Sequence, residues 1–154
     1  MVVRMSIQNT LDLVQARLQT INPPLNVVKN APTESVSAAE FPMAMVMLAP
    51  QIMNSFRMEA SGYVRHTYYL TLYIFAGMRN TGITELHNRI LPYPQALATV
   101  LFADQTLGGN VTFIGDGGGG VFSYRYGEIG WGEARLWGIA SNIVVTEKIV
   151  MTTN

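Results

Sequence analysis

The stretch VRHTYYLTLYIF, residues 64–75, decides how the rest of the chain can fold. Large side chains occupy alternate positions with the period of a β-strand. One face carries Tyr68, Leu70, Leu72 and Ile74, and the other carries Tyr69, Thr71, Tyr73 and Phe75. Since both faces are apolar, we expect a long strand that lies in the centre of a sheet or is covered by a neighbouring subunit.

The segments before this stretch extend the sheet. FPMAMVMLA, residues 41–49, places Met43, Met45 and Met47 on one face and Ala44, Val46 and Leu48 on the other. Residues 51–63 contain Gly62 and are predicted to form the other arm of a long hairpin.

The beginning of the chain is predicted to be helical. Ile7, Leu11, Val14, Leu18 and Ile21 recur at helical spacing, which predicts an amphipathic helix over residues 7–20. Asn22-Pro23-Pro24 ends the helix. A short strand is expected at residues 25–29, followed by an exposed loop.

The second half contains a broken helical region and three more strands. Ile83, Leu86 and Ile90 predict a short helix that Pro92 ends, and a second helix begins near Pro94. Strands are expected at residues 111–114, 121–126 and 134–150. This order predicts a single α+β domain over residues 1–154, with a mixed or mainly antiparallel sheet and helices packed on one face.

The composition indicates a subunit of an assembly. Charged residues make up 13% of the 154 residues and hydrophobic residues 49%, whereas about a quarter of a soluble domain is normally charged. Much of the surface is therefore expected to be covered by something other than water.

Charge, cysteine content and the first residues exclude several classes of protein. Ten basic and ten acidic side chains balance, and the arginines are scattered singly, which disfavours sequence-specific DNA binding. No cysteine is present, so disulfides and thiolate chemistry are excluded, as is usual in a reducing compartment. The sequence predicts no signal peptide and no transmembrane helix.

The glycine-rich stretch FIGDGGGGVF, residues 113–122, raises the question of a phosphate site. A phosphate-binding loop leads into a helix N-terminus and carries a Lys or Ser/Thr that reaches the phosphate. Here a strand is expected to follow, so Gly117 to Gly120 are interpreted as a flexible connection between strands.

Candidate chemical groups are few and do not form a known motif. His66 and His87 lack metal-ligand spacing, so no metal site and no cofactor is predicted. Ser61, Ser123 and Ser141 lack the Gly-x-Ser-x-Gly pattern of a serine hydrolase. Asp116, Glu128 and Glu133 could supply a general acid and base, but carboxylates in turns are common, and we predict that the protein is not an enzyme.

The order of features along nearly the whole chain resembles the tail terminator (tail completion, or neck) proteins of long-tailed bacteriophages. The resemblance is carried by TLDLVQARLQTI, FPMAMVMLAP, YYLTLYIF, ILPYPQALATVLFADQTLGGNV and LWGIASNIVVTEK. It rests on order and length, because none of these pieces is a catalytic signature.

The resemblance implies a structural virion protein located in the tail or neck and assembled in the host cytoplasm. Such proteins form a ring, usually a hexamer, that caps the head-proximal end of the tail tube and stops its polymerisation. The implied partners are other copies of the chain, the tail tube protein and a head-completion or stopper protein. Genomic DNA would only pass through the lumen, and no membrane is involved.

Apolar side chains on the strands are the candidates for contact with other subunits. They are Met43, Met45, Met47, Tyr69, Tyr73, Phe75, Trp131 and Trp137. Two alternatives remain open: another head–tail connector, stopper or minor tail protein, and a small β-rich module that binds an apolar ligand in an internal cavity.

Overall fold

A computed structural model of the chain describes residues 6–33, 35–59, 62–109, 113–115 and 122–150. Within these ranges the chain forms three α-helices and seven β-strands. In chain order they are α1 (Ser6–Leu18), β1 (Val27–Lys29), β2 (Met43–Leu48), β3 (Ser55–Met58), β4 (Tyr63–Met78), α2 (Ile83–Ile90), α3 (Tyr93–Phe102), β5 (Phe113–Gly115), β6 (Arg125–Trp131) and β7 (Ala134–Val150). The predicted α+β class and the order of elements are confirmed.

Two long antiparallel strands form the centre of one sheet. β4 and β7 pair from Tyr63 opposite Val150 to Met78 opposite Leu136, with one register shift between Phe75 and Gly77. β2 and β3 both pair with the other edge of β4, β2 along residues 70–75 and β3 along residues 64–67. β5 and β6 both pair with the edge of β7 that lies away from β4, and β1 joins β2 in parallel.

The three helices cover one side of this sheet, which we call the helix face. The even-numbered side chains of β4 from Tyr68 to Ala76 point to this side, as the alternation in the sequence predicts. They pack with apolar side chains of α1, α2 and α3, among them Leu11, Val14, Leu18, Leu86, Ile90, Leu97 and Leu101. This cluster is the main core of the protein.

The opposite side, which we call the outer face, has a smaller core of its own. Met43, Met45 and Met47 of β2 pack with Phe75 and Leu136, and Phe41 completes the buried set. Val36 and Trp131 pack against this cluster, and the Trp131 Nε1 donates a hydrogen bond to the Thr33 carbonyl at 2.8 Å. The segment before β2 therefore covers this part of the outer face.

The predicted bounds of the strand at residues 121–126 are wrong. Residues 122–124 lie outside any strand, and β6 occupies Arg125–Trp131. A two-residue turn, Gly132-Glu133, joins β6 to β7, and Gly132 has a φ of 59°. This tight turn fixes the register of β6 on the first half of β7, because hairpin register follows turn geometry. The predicted glycine connection at 117–120 lies outside the described residues.

Gly138 allows β7 to approach β4 closely beside the register shift. A Cβ atom at this position would lie 1.9 Å from the carbonyl oxygen of Ile74 and 2.9 Å from the Cα of Phe75. Both are backbone atoms of the central strand pair, so a side chain can be accommodated only if the two strands separate.

We therefore expect Gly138→Ala to lower the free energy of unfolding by about 3 kcal/mol, measured by urea denaturation. Gly130→Ala is the matched control, because its Cβ would lie 3.8 Å from a flexible Arg135 nitrogen. We expect that change to stay within about 1 kcal/mol. Equal stability of the two variants would contradict the close approach.

Candidate interaction surface

The eight predicted interface residues do not form one surface. Seven of them lie on the outer face, and Trp137 lies on the helix face. Met43, Met45 and Phe75 are 0% exposed and Met47 is 9% exposed. These four side chains fill the outer core of the chain itself, so the interface prediction is corrected for them.

The other four predicted residues keep part of their surface. Tyr73 packs edge-on against Trp131, with ring centroids 5.6 Å apart, and Tyr69, four residues earlier on β4, is half-buried. Trp137 donates from Nε1 to the Tyr126 hydroxyl at 3.0 Å. Contact of these residues with a partner stays a prediction.

The largest exposed apolar side chains of the sheet lie where it projects beyond α1. This part, the β3 arm, consists of β3, residues 63–67 of β4 and residues 146–150 of β7. Met53 just before it is 91% exposed, and Phe56 and Met58 are 69% and 86% exposed. All four residues of β3 are exposed, and within the described residues β3 pairs with β4 alone, so its second edge is unpaired.

The β3 arm is a surface that was not predicted from the sequence. Residues 51–63 were predicted only as one arm of a hairpin. The available signal was the pair Phe56 and Met58 at alternate positions of a four-residue strand, because an apolar edge strand normally needs a cover.

A buried polar cluster ties α1 to the base of the β3 arm. The Thr10 hydroxyl donates to Glu147 Oε1 at 2.8 Å, and the Tyr68 hydroxyl contacts both Glu147 Oε1 and Thr10. Glu147 is 5% exposed and Thr10 and Tyr68 are 0% exposed. Burial and the bond to Glu147 raise the pKa of Tyr68 well above its usual range, so its hydroxyl remains a donor.

His66 closes this cluster towards the arm. It lies opposite Glu147 in the strand register, its ring stacks on Phe56 with centroids 4.0 Å apart, and the tilted Tyr68 ring lies 4.7 Å away. Its Nδ1 is buried, and no residue in the described part of the chain forms a hydrogen bond with it. Burial lowers the pKa of His66, and the nearby charge of Glu147 opposes that effect in part.

The remaining chemical candidates are engaged in structural contacts. Glu128 lies between Arg79 and Arg135, at 3.5 and 3.8 Å. His87 Nδ1 lies 2.6 Å from the Tyr126 hydroxyl, and Ser141 donates to the Ser123 carbonyl at 2.6 Å.

The other predicted groups contribute no assembled site in the described part of the chain. Glu133 lies exposed in the β6–β7 turn, whereas Ser61 and Asp116 lie outside the described residues. Among the residues that the structure describes, no group of three His, Cys, Asp or Glu side chains is placed to hold a metal ion.

The helices of the described ranges lack the length and hydropathy of a membrane span. Comparison with protein-family models and with curated proteins finds no match for this chain.

The burial of His66 predicts a pH dependence of stability. Since its pKa is lower in the folded state than in the unfolded chain, the unfolded chain binds a proton more readily. We expect the free energy of unfolding to fall as the pH falls through about 6.5, measured by urea denaturation at several pH values.

The His66→Phe variant tests whether His66 causes this pH dependence, because it removes the titrating group and keeps an aromatic ring against Phe56. Its stability should fall less than that of the wild type over the same pH range. His87→Gln removes the exposed histidine and shows whether loss of any histidine gives this result. An unchanged pH profile in His66→Phe would contradict the assignment.

Proposed function

We propose that this chain is a structural subunit that assembles with its own copies into the ring that terminates a bacteriophage tail. The observation that carries the proposal is the β3 arm, an exposed edge strand with large apolar side chains. The resemblance in element order to tail terminator proteins supplies the biological setting, and the low charge content agrees with extensive contacts between subunits.

The exposed edge is the physical reason for assembly. An unpaired strand edge with apolar side chains promotes association, and proteins that remain monomeric usually protect such edges with charges, prolines or a covering element. β3 has Arg57 at its centre, but Phe56 and Met58 flank it on the other side of the strand. A neighbouring subunit that packs on this arm removes apolar surface from water.

We propose that association through this arm forms a ring. The arm lies at one end of the sheet, and β6 with its Gly132-Glu133 turn lies along the opposite edge, on the other half of β7. Contact between two different surfaces of neighbouring copies is heterologous, and such contacts close into rings when the rotation permits. Each contact can be weak, because the ring engages its partners through many copies at once.

No catalytic role is part of this proposal. The ring would bind the tail tube on one side and a head-completion or stopper protein on the other. A head–tail stopper would need similar surfaces and is distinguished by its place in the virion.

The first test changes the arm without touching either core. In the double variant Met53→Glu, Met58→Glu, both altered side chains are exposed, so the subunit should keep its thermal midpoint but lose self-association. Association is measured by sedimentation velocity over a range of concentrations and by incorporation into particles.

Ile83→Glu, Leu91→Glu is the matched control, because it adds the same charge at apolar positions that are 48% and 57% exposed near α2. We expect the control to assemble normally. Normal assembly of the arm variant would show that the arm is not the interface. A ligand-binding module would instead remain monomeric at every concentration in all three proteins.

The second test removes the protein from a phage that encodes it. Its loss should leave filled heads separated from tails of irregular or excessive length, seen by negative-stain electron microscopy. Restoring the wild-type chain should restore joined particles. Tails of normal length that are firmly joined to heads in the absence of the protein would refute the proposed function.

A further inference from the structure

The outer face gathers basic side chains that are far apart in the sequence. Arg57, Arg65 and Lys148 are direct neighbours in one row across β3, β4 and β7. Adjacent strands lie about 4.8 Å apart, and like charges directly opposite one another destabilise a sheet. The row therefore concentrates positive charge on one face of the sheet.

The row keeps an excess of positive charge. Glu59 accepts a hydrogen bond from Arg65 Nε at 3.1 Å and lies 3.9 Å from Arg57 Nε. The side chain of Arg57 nevertheless remains 80% exposed. The Lys148 ammonium lies 4.1 Å from the centre of the Tyr63 ring, so its near contact is an aromatic ring.

A second basic position lies farther along the same face. Arg125 is exposed on β6 opposite Ala140 and borders a surface groove of about 380 Å³. Tyr73, Tyr124, Ser141 and Asn142 also line this groove. The groove lies beside Tyr73, eight β4 residues from Arg65, which corresponds to about 26 Å along a strand.

Aromatic side chains lie near both basic positions. Tyr63 lies beside the row on β4, Tyr69 lies between the row and the groove, and Tyr73 and Tyr124 lie at the groove. The first three are partly exposed, and Tyr124 is 48% exposed. Cations that follow a strand of phosphates, together with aromatic rings on which bases stack, are the features of proteins that bind single-stranded nucleic acid.

We propose that the outer face binds single-stranded nucleic acid without sequence preference. Arg57, Arg65, Lys148 and Arg125 contact phosphates, and bases stack on the exposed tyrosines. A duplex or an acidic peptide would interact only with the basic side chains, whereas unpaired bases can also stack on the aromatic rings. The inference goes beyond the proposed function, because the isolated chain should bind whether or not it forms a ring.

The test measures fluorescence anisotropy of a labelled oligothymidine of about 20 nucleotides over a range of salt concentrations. Binding should weaken as salt rises and should be tighter than to a duplex of equal length. In the variant Arg57→Gln, Lys148→Gln, binding should weaken by about tenfold or more, and the slope of log K against log salt should become shallower by about 1.4, or 0.7 per phosphate contact.

Two further variants separate this site from general charge effects. Arg89→Gln, Arg135→Gln removes the same charge from side chains that pair with Glu85 and Glu128, and its affinity should stay within about twofold of the wild type. Tyr124→Ser should weaken binding to the oligothymidine more than binding to the duplex. Thermal midpoints identify any variant that fails to fold.

The outcomes that overturn the proposal are distinct from failure of ring assembly. They are absence of binding at low salt, duplex binding as tight as single-strand binding, an equal loss in the control variant, and equally effective competition by polyglutamate. If the arm variant still self-associates, the proposed nucleic-acid site is not affected, because Met53 and Met58 are not among its contacts.

Discussion

The pairing of β4 with β7 organises the whole sheet. The two strands run antiparallel over nearly their whole lengths, and every other strand pairs with one of them or, as β1 does, with a neighbour. Their length exceeds that of any strand beside them, so each must be joined by two short strands along its free edge. This arrangement leaves one end of the pair, the β3 arm, projecting past α1.

The strand pair also separates two cores with different roles. The helix face buries the larger core, and Glu147 from β7 anchors α1 through Thr10. A buried carboxylate is costly unless its oxygens are hydrogen-bonded, and here two hydroxyls satisfy it. At the far end of α1, Arg17 pairs with Asp104 at 3.3 Å, and bonds from Thr106 and Gly108 lower the pKa of Asp104. The helix layer is thus held to the sheet near one end and to α3 near the other.

One part of the outer face stabilises the fold, and the other part is exposed to solvent. Its first part is filled by methionines and covered by the segment that precedes β2, and Met suits such an irregular space because its side chain is flexible. Its second part carries tyrosines and a row of basic groups. The same strand therefore supplies a closed core at one end and an accessible surface at the other, which a local pattern of alternation does not distinguish.

The class of fold, the order of its elements and the two faces of β2 and β4 could all be predicted from the sequence. Alternation and helical spacing are local properties, and burial in this fold agrees with them at Tyr68, Leu72 and Met45. The position of β6 was missed because its register depends on the Gly132 turn.

Which side chains form the accessible surface depends on tertiary structure alone. Phe75 and Met45 are as apolar as Phe56 and Met58. Their different positions in the paired strands determine that the first two are covered and the last two are exposed. Arg57, Arg65 and Lys148 are scattered along the chain, and only the strand register brings them into one row.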